Sequence, residues 1–135
     1  MFGSQLFADE PSAASNMTED RAIEVLTKVG TFGFGAKLGQ IERKSDSAFQ
    51  TILSNPKAKD KFTAIFEKGG TCSKLYFLCA LHHIDLAAYQ KLTKSIKMDE
   101  VVQTQFGCVV GESKTKEILE RIDNRYFERE FKFAK

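Results

Sequence analysis

The residues of this chain best suited to do chemistry are its three cysteines and two histidines. Cys72, Cys79, His82 and His83 share one short segment, and Cys108 stands well downstream. Cys79 and His83 are four residues apart, which on a helix is one turn. A thiol and an imidazole so placed can share a metal ion or act as nucleophile and base. Both uses demand more than the segment supplies. Zinc usually draws four ligands from two paired clusters, and here Cys72 or Cys108 would have to add a third ligand with no second cluster in sight. A nucleophilic thiolate needs an accessible, polar setting and an oxyanion donor, yet Leu78, Ala80 and Leu81 around Cys79 argue for burial. The expectation is therefore no catalytic residue, no metal ligand and no cofactor, with these side chains serving architecture. One histidine is expected at a helix end, where the dipole favours positive charge, and the other in solvent.

Cys72 and Cys79 lie seven residues apart, about 10 Å along a helix, too far to bridge each other. Either can pair with Cys108, and Cys79, mid-helix among core residues, is the better placed. The equal alternative is three reduced, buried thiols, since free cysteine packs like a small hydrophobe.

The run Val29–Gly39, VGTFGFGAKLG, has the look of a phosphate cradle. A Walker loop needs Gly-Lys-Ser/Thr at its end, and Lys37 instead lies between Ala36 and Leu38. A dinucleotide fingerprint needs a third glycine three residues after the second, and position 38 is leucine. The glycines read as permitting close backbone approach while Phe32 and Phe34 plug the core. No Gly-x-Ser-x-Gly turn is present. Glu117, Glu120 and Asp123 are interleaved with Lys116, Arg121 and Arg125, as on a solvated helix face, not a paired-acid site.

Elements follow from periodicity. Thr18 caps a helix opening on Glu19 and Asp20, carrying Ala22, Ile23, Leu26 and Val29 inward and stopping at Gly30. Phe32, Phe34, Ala36 and Leu38 alternate as in a short strand. Ser45 or Asp46 caps a helix with Phe49, Ile52 and Leu53; Asn55-Pro56 opens another with Ala58, Phe62, Ile65 and Phe66. Cys72–Ile84 is apolar around most of its circumference, as a central helix is. Asp85 caps the next, with Leu86, Tyr89, Leu92 and Ile96 inward. Alternation from Val102 to Val110 fits a short buried strand or an irregular helix, and Gly107 favours the strand. Ser113 caps a last helix with Ile118, Leu119 and Ile122; Phe127–Phe133 reads as an extended edge segment paired with Phe32–Phe34, with a helix extension as the alternative, since Phe127 and Phe131 are four apart.

The 135 residues suit a single domain. A hydrophobic share of 42% and a charged share of 28% place it among globular chains, and twelve Phe with no Trp make Phe the bulky core material. A net charge of +2, evenly mixed, gives no case for nucleic acid. No apolar run approaches the roughly 20 residues of a membrane span. Residues 1–17 read as a flexible tail or a remnant of processing, with Leu6-Phe7-Ala8 placed as the end of an export signal would be; residues 18–135 read as the helical domain.

Lys74-Leu-Tyr-Phe-Leu-Cys-Ala-Leu81, then Asp85-x-x-x-Tyr89, then Phe106-Gly-Cys108, resemble small exported bacterial helical proteins of uncharacterised function. The resemblance implies export and a structural pairing of Cys79 with Cys108, and no activity. The expected fold is mainly α, a compact multi-helix domain of bundle or short solenoid type, to which one small antiparallel β element can be added. The expected function is a non-catalytic bacterial interaction protein, with an immunity or inhibitor protein as the specific form and a protein as partner. Its alternatives are a small apolar-ligand carrier, with Phe32, Phe34, Tyr76 and Tyr89 around its pocket, and a Cys/His metal- or thiol-dependent enzyme centred on Cys79 and His83. The expected compartment is the periplasm or another exported location, with the cytoplasm as alternative.

Overall fold

The computed structural model of the chain describes residues 18–35, 44–55, 57–106 and 109–131. The N-terminal segment 1–17 with Leu6-Phe7-Ala8, the second half of the glycine run with Lys37 and Leu38, Pro56, Cys108 and Phe133 lie outside the described residues.

The first helix, α1 (Glu19–Thr27), begins where local chemistry dictates. The Thr18 hydroxyl accepts from the Arg21 N–H at 3.2 Å, and Glu19 and Asp20 place negative charge on the first turn. Ala22 and Leu26 are its buried face. Helix α2 (Lys44–Leu53) starts one residue before the expected caps, so Ser45 and Asp46 sit inside its first turn and do not cap it. Helix α3 (Ala58–Ile65) starts at a Lys57 cap; Asn55 contributes beforehand, its side-chain oxygen accepting from the Lys57 N–H at 2.6 Å in a turn that leads the chain in. A single 3₁₀ turn (Phe66–Lys68) carries α3 to Gly69.

Helix α4 (Thr71–Ile84) is the axis of the fold. Leu75, Tyr76, Phe77, Leu78, Ala80 and Leu81 are all fully buried, which no single face of a helix can supply. It packs against α1, α2, α3, the following helices α5 (Leu86–Thr93) and α6 (Thr115–Asp123), and strand β1 (Val101–Phe106). Contact with so many non-adjacent elements makes the body a bundle around one helix; a solenoid would restrict contacts to sequence neighbours. Asp85 caps α5 by accepting from the Ala88 N–H at 3.3 Å. Tyr89 is buried on α5, whereas Leu86, expected inward, is exposed.

The alternating segment proves to be a hairpin, not one strand. β1 pairs antiparallel with β2 (Val109–Lys114), from Val101 opposite Lys114 to Phe106 opposite Val109. Ser113 therefore belongs to β2, and α6 is capped at Lys114, whose N–H donates to the Glu117 carboxylate at 3.2 Å. Phe32 joins the other side of β1 through a parallel bridge to Thr104, donating its N–H to the Gln103 carbonyl and accepting from the Gln105 N–H, both at 2.9 Å.

The C-terminal segment is likewise helical over α7 (Tyr126–Phe131), the alternative to the edge strand, which does not form over these residues. Arg125, with φ of 60°, is the cause: a left-handed residue just past the α6 cap Asn124 turns the chain back. Phe127 then drops into the core, stacked on Phe106 at 5.6 Å and edge-on to Phe32 at 5.4 Å. Phe32 and the tail do meet, through rings and not through a strand ladder.

Candidate functional site

Gly33 settles what the glycine run does in its described half. A Cβ there would lie 1.9 Å from the Gln105 carbonyl oxygen, and its φ of +153° is one that side-chain-bearing residues rarely adopt. The Tyr76 hydroxyl donates to the Gly33 carbonyl at 2.6 Å and accepts from its N–H at 3.2 Å. That amide is engaged by the protein, so the position serves close packing of Phe32 and Phe34 over α4.

The residues singled out for chemistry gather at the C-terminal end of α4. His82 and His83 close that helix, and α7 brings Glu128 against both. His83 Nδ1 is 2.6 Å from one carboxylate oxygen, and His82 Nδ1 is 3.4 Å from the other. Their side chains are 24% and 8% exposed, so the expectation of one solvated histidine is overturned. The physical reason is the helical α7, which places an acid where an extended tail would not. The His82 and Tyr89 rings are perpendicular with centroids 4.8 Å apart, and the Tyr89 hydroxyl donates to Asp123 at 2.7 Å.

Cys79 is buried beside this group, one turn before His83. Burial first, and the Glu128 charge second, push its thiol well above the ordinary range. Both causes favour the neutral thiol over the thiolate that a nucleophile uses. Burial, and then Glu100, push Cys72 up too. Both are free thiols; the pairing expected of Cys79 with Cys108 involves a residue outside the described set, and Cys79 is unpaired in this structure. Among the described residues no group of three or more His, Cys, Asp and Glu side chains could hold a metal ion. Burial and the bond to Asp123 push the Tyr89 phenol strongly up.

Phe32, Phe34 and Tyr76, expected around a ligand pocket, fill the space with one another: Phe32–Tyr76 at 4.8 Å, Phe32–Phe34 and Phe34–Tyr76 at 5.6 Å. Tyr89 lies apart, in the histidine group. On α6 the charges are mostly exposed, with Arg121 over the Tyr126 ring at 5.6 Å.

The feature that sequence reasoning missed is the outer end of the hairpin. Val109 is 71% and Val110 69% exposed, and Val101 on β1 is exposed as well. Among the described residues β2 has β1 as its one strand neighbour and no strand on its other edge. The adjacent pair Val109-Val110, which breaks the alternation, was the available signal. Among the described residues no helix is long and apolar enough to cross a membrane. Compared with protein-family models, curated proteins and solved structures, the chain matches none.

Proposed function

We propose that this chain acts by binding another protein and performs no catalysis of its own, with a bacterial immunity or inhibitor protein as the specific form. The observation that carries the reading is the exposed valine pair on a strand edge that has no strand neighbour among the described residues. An apolar pair near the end of a hairpin can enter a partner's cleft, and an edge strand can extend a partner's sheet through backbone hydrogen bonds. The polar groups best suited to chemistry support the same reading, because their partners are one another: Glu128 with His83, Asp123 with Tyr89, and Cys79 kept neutral in the core.

Copurification from native extract at low salt, comparing the natural chain with Val110→Asp, tests it. A specific partner retained by the natural chain, lost with Val110→Asp, and bound again when both purified proteins are mixed is the expected result. Repeated failure of the natural chain to retain any specific partner, or equal retention by the variant, overturns the docking surface.

A further inference from the structure

We propose that this chain exchanges α7 with a second copy of itself, by straightening at Arg125 into one continuous helix from Thr115 to Phe131. The observation that points to it is a two-residue turn under strain. α6 ends at Asp123 and α7 begins at Tyr126, so Asn124 and Arg125 alone reverse the chain. Arg125 does this at φ of 60°, the one non-glycine residue with positive φ among those described. The clash of Cβ with the following carbonyl oxygen disfavours that conformation by about fivefold or more for a residue with a side chain. Glycine or asparagine is the usual occupant of such a position, and here the asparagine stands one residue too early.

Nothing in the local sequence demands the turn. Thr115–Phe131 contains no glycine or proline, and Ile118, Leu119, Ile122 and Tyr126 fall on one helical stripe. In a straight helix the Glu128 N–H would donate to the Asn124 carbonyl, which the Arg129 guanidinium caps at 2.5 Å in the folded-back form.

Burial is what draws α7 back. Phe127 is fully buried against Phe32, Phe34 and Phe106, and Glu128 lies against His82 and His83. One straightened chain loses those contacts and leaves an aromatic groove open. Two straightened chains restore them, each α7 seated in the groove of the other, because helix and groove are the same in both copies. The exchange is reciprocal about a twofold axis, so it closes at a dimer. The turn has room to open outward: Asp123, Asn124 and Arg125 are exposed, and a straight α7 projects about 12 Å past Asp123. The dimer then differs from two monomers chiefly by two relaxed hinges set against the entropy of association, which is how short strained connections favour exchange.

Refolding the full chain from urea at low and at high protein concentration, with the products read by size-exclusion chromatography and native mass spectrometry, tests the exchange. A dimer is expected from the concentrated sample, slow to dissociate on dilution because Phe127 must leave a closed core. Arg125→Gly relieves the turn and weakens the straight helix, so it is expected to loosen the dimer about 25-fold or more, both hinges counting. Val110→Asp is expected to leave the dimer intact, whereas a dimer paired along β2 would be lost with that variant and indifferent to Arg125→Gly. Monomer alone at every concentration, a dimer unmoved by Arg125→Gly, or one lost with Val110→Asp overturns the proposal.

Discussion

The Tyr76 hydroxyl grips both ends of Gly33, giving its proton to the carbonyl at 2.6 Å and receiving the N–H at 3.2 Å. This ties the loop before α2 to the central helix at the point where Phe32 bridges β1. Tyr76→Phe keeps the ring and deletes both bonds, and is expected to cost about 1–3 kcal/mol, the range for stripping hydrogen bonds from buried groups. Gly33→Ala is expected to cost more, since its Cβ meets the fixed backbone of β1 and not a flexible side chain. Urea unfolding checks both, as a lowered midpoint with an unchanged slope.

Cys79 offers a second test. Its thiol is buried and kept protonated by that burial and by Glu128, so alkylation requires the fold to open. Iodoacetamide near neutral pH is expected to leave Cys79 unmodified in native protein and to modify it readily in denaturant, as read by peptide mass spectrometry. Resistance that persists in native protein with a reductant present is the mark of burial. Resistance that disappears on adding reductant would instead mark a bond to Cys108.

What was legible in the sequence follows the range of the forces involved. The caps at Thr18 and Asp85 act over three residues, and both were readable. The apolar circumference of Cys72–Ile84 announced a central helix because every face of it had to be covered. Elsewhere local pattern was insufficient. Val102–Val110 alternates whether or not the chain reverses within it, and only the pairing of Phe106 with Val109 reveals the hairpin. Phe127 and Phe131 fit a period of two as well as a helical turn. The choice falls to tertiary packing, with Phe127 entering the ring cluster once Arg125 redirects the chain. The histidine site depended on that choice. His82 and His83 were visible from the start, whereas Glu128, 45 positions from His83, becomes their partner only when α7 is a helix.

Tyr89 gives a prediction with a definite sign. Burial first, and the bond to Asp123 second, push its phenol far up, so the folded chain keeps a proton that the unfolded chain releases in alkali. Its contribution to stability is fully present below the ordinary phenol range and declines as the pH climbs beyond about 10. Stability measured by urea unfolding is therefore expected to fall between about pH 9.5 and 11, and Tyr89→Phe, which has no proton to lose, is expected to show a shallower fall over that interval. Ultraviolet titration of the three tyrosines supplies the direct readout: the step that waits for the fold to be lost should shrink by one phenol in Tyr89→Phe, the buried Tyr76 remaining in both chains. A variant whose alkaline profile matched the natural chain would show that Asp123 and the surrounding α5–α6 packing leave the phenol free to ionise in place.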